Sequence, residues 1–128
     1  MTYETGLFAE RLWISADPES LLLTISHPDH RDAPTSFVVV LSEVEHQLEP
    51  PGADSSEASM PALRRWVVYH SAATSRMQAV KVSDARETIV LRDRAATRGS
   101  VSDGGILAFV PVEPYGQVCL ADVASSLP

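Results

Sequence analysis

The densest group of side chains able to do chemistry is His27, Asp29, His30 and Asp32, all within the segment HPDHRDAP over 27–34. Imidazole nitrogens and carboxylate oxygens together suit zinc or a related transition metal, and a connection between strands lets such side chains converge on one ion. His27, Asp29 and His30 are therefore the candidate metal ligands. Their spacing matches no established ligand motif, and a third strong ligand has to come from His46 or His70, both distant in sequence. Asp29 and Asp32 fit equally well the ordinary role of aspartate in a turn, where the carboxylate accepts hydrogen bonds from nearby backbone amides.

A second candidate is cationic. Nine of the ten bases are arginine, the residue whose planar fork suits carboxylate and phosphate. Charge is segregated along the chain. Residues 1–63 hold eleven acids and two bases, residues 64–98 hold eight bases and three acids, and residues 99–128 hold three acids and no base. Arg64, Arg65, Arg92, Arg94 and Arg98 would form an anion site if their strands are neighbours, and Trp66 beside them is either an interface anchor or a core residue, which its burial decides. The same arginines also serve as solvated edges that discourage strand-to-strand aggregation. Segregated charge fits pairing within one fold, and it fits a basic face meeting an acidic face on a partner or a second copy.

Other reactive chemistry finds no support. Gly-x-Ser-x-Gly does not occur, and the glycine-bearing stretch over 99–105 lacks the lysine of a phosphate-binding loop. Cys119 has no adjacent base to lower its pKa and lies in an apolar run, which predicts an inert core thiol. Glu43 and Glu45 alternate along one face, as acids on the wet side of a strand do. These residues predict a chain without a catalytic site or cofactor.

The net charge of −7 opposes attraction to nucleic acid or an anionic membrane, both of which need a basic surface. No apolar run approaches the roughly 20 residues that span a bilayer. A single cysteine cannot close an intrachain disulfide, and Glu4 and Glu10 interrupt the N-terminal apolar residues, unlike a signal peptide. The expectation is a soluble, cytoplasmic protein with one domain over 1–128.

The elements that must position these residues read as strands. Phe37-Val38-Val39-Val40-Leu41 has no polar face to show to water, which predicts a strand covered on both sides. Ile106 to Val112 is a second continuous apolar run and the expected neighbour of the first, with Pro111 suggesting an edge or a bulge. Leu21 to Ser26 alternates, with Leu21, Leu23 and Ile25 inward and Leu22 breaking the pattern. The segment 27–34 is too short for a crossover helix, so its flanking strands should form a hairpin. Segments 7–15 and 62–73 are compatible with helix or strand, and the Trp66-Val67-Val68-Tyr69 quartet favours strand. Met77 to Ser83 and Glu87 to Arg92 read as a hairpin closed by Asp84-Ala85-Arg86, and Gln117 to Ala121 as a last short strand. Residues 45–61, with Pro50-Pro51-Gly52 and a polar tail, predict a long mobile loop with nothing to bury.

About eight strands separated by Pro, Gly and Asp turns predict an all-β fold, an antiparallel β-sandwich or small barrel in jelly-roll-like or immunoglobulin-like order. The functional expectation is a noncatalytic interaction or assembly module, acting on a protein partner or by self-association. The alternative is a metal-dependent or small-ligand-binding barrel using the His27–Asp32 loop.

Overall fold

The computed structural model describes residues 8–14, 20–26, 36–41, 44–48, 58–71, 74–92, 94–112 and 116–128. Among them the fold is all-β, with every strand pair antiparallel. The first sheet runs β1 (Phe8–Ile14), β2 (Ser20–Ser26), β3 (Ser36–Leu41) and β4 (Val44–Leu48). The second runs β5 (Trp66–Ser71), β6 (Arg76–Lys81) and β7 (Asp84–Val90). The third contains β8 (Ala96–Val101), β9 (Ile106–Pro111) and β10 (Cys119–Asp122), and a single 3-10 turn follows at Ala124–Ser126. Each sheet joins strands consecutive in sequence, so short connections keep the loop-closure cost of pairing low.

β5 is buried along its whole length on both faces. Its alternation sends Val67 and Tyr69 into a core shared with Leu22, Phe37, Val39 and Leu48 of the first sheet. Trp66 and Val68 point the other way, into a core shared with Leu107 and Phe109 of the third sheet. β6 divides likewise, with Val80 in the first core and Met77 and Ala79 in the second. The second sheet is thus covered on both faces. Both ambiguous segments are strands, as the β-rich quartet favoured for 62–73.

Phe37, Val38 and Val39 of β3 are also fully buried, and the Phe37 ring meets Tyr69 at 5.7 Å between centroids with a 52° tilt. The expected pairing of this strand with the Ile106 run does not occur. β3 lies between β2 and β4, whereas β9 lies between β8 and β10 in another sheet. Nor is β9 covered on both sides. Leu107 and Phe109 are buried while Ile106 is exposed and Ala108 and Val110 are half-buried. An unbroken apolar run therefore carries one dry face and one apolar face turned outward. Leu22, the residue that broke the alternation of β2, is buried in the first core.

One strand occupies a segment whose composition suggested irregular structure. β4 takes up 44–48, where Leu48 pairs with Phe37 and is buried, so the expected loop over 45–61 begins later than its polarity implied. Its other end is anchored as well: Ala58, Ser59, Met60 and Pro61 are buried, and Ser59 bridges Val68 of β5. Residues 49–57 lie outside the described residues. β8 approaches β6 closely at Gly99. A Cβ on Gly99 would stand 2.5 Å from Met77 Cε and 2.7 Å from its sulfur.

The connections also differ in detail. The β6–β7 turn is Val82-Ser83, with Lys81 already paired to Asp84, so Asp84 opens β7 instead of lying in the turn. Its carboxylate still behaves as a turn aspartate, accepting the Arg86 amide at 3.0 Å. At the β8–β9 turn Gly105 takes φ +81°, and a Cβ there would meet Ala124 Cβ at 2.7 Å. Only glycine fits, because the residues after β10 fold back onto this turn, where the Val123 amide donates to the Gly105 carbonyl at 2.9 Å.

Candidate functional site

Arg64 and Arg65 do not gather with Arg92 into one site. Arg64 lies in the turn before β5, and its Nη1 donates to the Pro61 carbonyl at 2.8 Å, the Met60 carbonyl at 3.2 Å and Asp103 Oδ1 at 2.9 Å. Arg65 is exposed, and its carbonyl accepts the Val82 amide. Arg92 follows β7, and its guanidinium lies 4.1 Å from the centre of the Phe109 ring, a cation–π contact between the second and third sheets. Arg94 is exposed, and Arg98 lies on β8 opposite Val110.

Register separates these groups. Trp66 pairs with Lys81 at one end of β6, and the Leu91 amide donates to the Met77 carbonyl near the other. These points are four residue steps apart along β6, a rise of about 13 Å. β6 also stands between β5 and β7, so Arg64 and Arg65 occupy the opposite end of the second sheet from Arg92. Trp66 is core: it is buried, its Nε1 donates to the Pro128 carbonyl at 3.1 Å, and Lys81 Nζ sits 5.8 Å from its ring centre.

His27, Asp29, His30 and Asp32 lie outside the described residues. Among the described residues no group of three or more His, Cys, Asp or Glu is placed to hold a metal ion. His70 is buried on β5, with its Nε2–H donating to the Ala96 carbonyl at 2.7 Å, so it joins the second sheet to the third. Cys119 is half-buried against the second core, on the inward side of β10. Among the described residues no helix is long and apolar enough to cross a membrane.

The surface that the structure does assemble is the outward face of the third sheet. Cys119 and Ala121 of β10 pair with Phe109 and Leu107 of β9 and pack toward the second core. Alternation therefore turns Leu120 outward beside Ala108, and Val118 outward at the same phase. Leu120 is 70% exposed and Val118 72%. Ile106 and Val112 are exposed on the same side of β9, and Ala108 and Val110 between them are half-buried. Of the seven large apolar side chains exposed among the described residues, four belong to this face, so the exposure is concentrated. Together they present an area on the order of a few hundred Å², the scale at which an apolar patch on a monomer usually has a use.

The sequence contained a signal for this face. Val118 and Leu120 alternate with Cys119 and Ala121, and all four are apolar, as are Ile106 to Val110. Two-sided apolarity suggests cover on both faces, but here one face is covered and the other is turned outward. No protein-family model matches the chain, and none of the curated proteins matches it.

Proposed function

We propose that this chain is a noncatalytic interaction module that works by holding a protein against the outward face of β9 and β10. The observation that carries the reading is the exposure of Leu120 and Val118 on a strand whose alternate residues already supply the second core. Fully burying a leucine or valine stabilises by about 1.5–3 kcal/mol, so leaving both in water forgoes several kcal/mol that contact with a partner recovers. Polar groups rim the apolar centre: Ser100 lies exposed beside Ala108, and Asp122 beside Ile106. An apolar centre within a polar rim is the usual anatomy of a protein contact.

A photoreactive amino acid placed at position 120, with position 88 on β7 as the exposed control, tests this in the expressing cell. Adducts at 120 and not at 88, weighed by mass spectrometry, are expected. A mass that is a multiple of this chain identifies self-association, and any other mass identifies a distinct partner. Equal labelling at both positions, or none at either, would overturn the reading.

A further inference from the structure

The apolar face ends at β10, and the backbone of this strand carries information of its own. In an antiparallel pair, residues that exchange hydrogen bonds with the partner strand alternate with residues whose amides and carbonyls point away. The Val123 amide donates to the Gly105 carbonyl, which fixes the phase: Ala121 and Cys119 bond toward β9 opposite Leu107 and Phe109. The backbone groups of Leu120 and Asp122 therefore face the outer margin of the third sheet. Among the described residues, no strand pairs with β10 there.

The other edges are guarded. β7 exposes Arg86, Glu87 and Thr88, β4 exposes Glu45 and Gln47, and β1 is interrupted by a register shift between Ala9 and Arg11. The far margin of β8 is engaged, with the Val101 amide on Ser59 Oγ and the Ala96 amide on the Ser75 carbonyl. Such charges, bulges and covers are the devices by which sheet edges avoid pairing with other chains. Residues 117–121 contain no lysine, arginine, proline or acid. β10 itself pairs with β9 in unbroken register.

We propose that β10 is a strand-addition edge that takes an extended segment of another protein, basic and apolar in alternation. This proposal rests on the contact reading above and specifies its mode. Charge selects the occupant. Residues 99–128 contain Asp103, Glu113 and Asp122 and no base, within a chain of net charge −7. A second copy would set this base-free segment against itself. An incoming antiparallel strand complements it with Lys or Arg opposite Asp122, then apolar residues two and four positions later, opposite Leu120 and Val118. Main-chain hydrogen bonds supply affinity in this mode and the alternate side chains supply selectivity.

The probe is an end-blocked heptapeptide with lysine at its second position, valine at its fourth and sixth, and threonine elsewhere. Amide exchange measured by NMR is expected to slow at Leu120 and Asp122 when the peptide is added. Leu120→Pro removes an N–H that points away from β9, so the fold should survive while peptide affinity falls at least tenfold. Asp122→Asn, or glutamate in place of the peptide lysine, should weaken binding about threefold and flatten its salt dependence. If Leu120→Pro fails to fold, N-methylation of the peptide nitrogens that face β10 must abolish binding to the unaltered protein. Peptide affinity unchanged by both backbone alterations would overturn strand addition, as would absence of binding at millimolar peptide. Slowed exchange at Leu120 and Asp122 that depends on protein concentration without peptide would overturn it in favour of a second copy. Cross-linking at position 120 surviving any of these results leaves the face contact standing, and its loss together with them removes both.

Discussion

Ser59 Oγ accepts the Val101 amide at 3.0 Å while the backbone of Ser59 pairs with Val68 in both directions, at 2.9 and 2.7 Å. One small residue thereby fastens the third sheet to the edge of the second, across 42 residues of sequence. Ser59 and Val101 are both buried, so the hydroxyl satisfies a main-chain donor that water does not readily reach.

Ser59→Ala should therefore cost about 1–3 kcal/mol, the penalty of a buried donor left without a partner, and not the few tenths expected of a surface serine. Urea unfolding measures it. The midpoint should fall with the slope unchanged, since the two backbone bonds to Val68 remain and the surface exposed on unfolding is the same.

The close approach of β8 to β6 makes a second, coupled prediction. Gly99→Ala gains strand propensity but drives a methyl against Met77, whose side chain is fully buried and must shift; the net cost should be about 1 kcal/mol, and Gly99→Val should cost more. Met77→Ala alone opens a cavity at about 2–5 kcal/mol. Combining Gly99→Ala with Met77→Ala should cost less than the sum of the two, because the added methyl occupies space that the methionine vacates. Additive costs in a double-mutant cycle would show that the two side chains do not compete.

These two contacts show where the sequence was legible. Pattern and turn residues were enough for the all-β class, for strands over both ambiguous segments and for adjacent strands on either side of 27–34, because period-two alternation and β-branched runs act locally. They did not reach the partnership of sheets. Val67 and Val68 face different cores, and nothing in a quartet of apolar residues says which cover each receives. Ser59 and Gly99 look like loop residues because the reason for their small size is a neighbour 42 residues away in one case and 22 in the other. The exposed face around Leu120 was missed for the opposite reason: its residues resemble core.

Alkaline and acid limits of stability should have different sources. Burial raises the pKa of Tyr69 above 10.0, so the folded state holds this proton over a range where the unfolded chain releases it. Its contribution is whole below pH 10 and is lost as pH climbs through the folded value. Tyr69→Phe should flatten that alkaline loss in thermal melts. The Asp84 carboxyl is held below 3.8 by the Arg86 amide first and the Arg86 side chain second. Its contribution is present above that value and disappears as pH falls through the folded one. The Asp84 side chain is partly exposed and its partner Arg86 lies in water, so Asp84→Asn should change the acid limb of the melting profile only slightly.

The turn into β5 sets an exposed leucine on a strained backbone. Leu63 and Arg64 have φ of +73° and +51°, a left-handed conformation that costs a side-chain-bearing residue about 1–2 kcal/mol. Leu63 is 74% exposed, so packing does not account for the strain. Arg64 does: its side chain is 10% exposed and ties the turn to the Met60 and Pro61 carbonyls, while Asp103, at 58%, is largely in water. Desolvated carbonyl bonds from a guanidinium should outweigh the half-exposed ion pair. Arg64→Ala should then cost about 2–3 kcal/mol and Arg64→Lys nearly as much, because an ammonium does not reproduce the planar donor. Asp103→Asn should cost under about 1 kcal/mol. Leu63→Asn, which suits positive φ, should be neutral or stabilising by about 1 kcal/mol. Chemical denaturation of the four variants decides the ranking, and an Asp103→Asn cost equal to that of Arg64→Ala would place the restraint in the ion pair instead of the carbonyls.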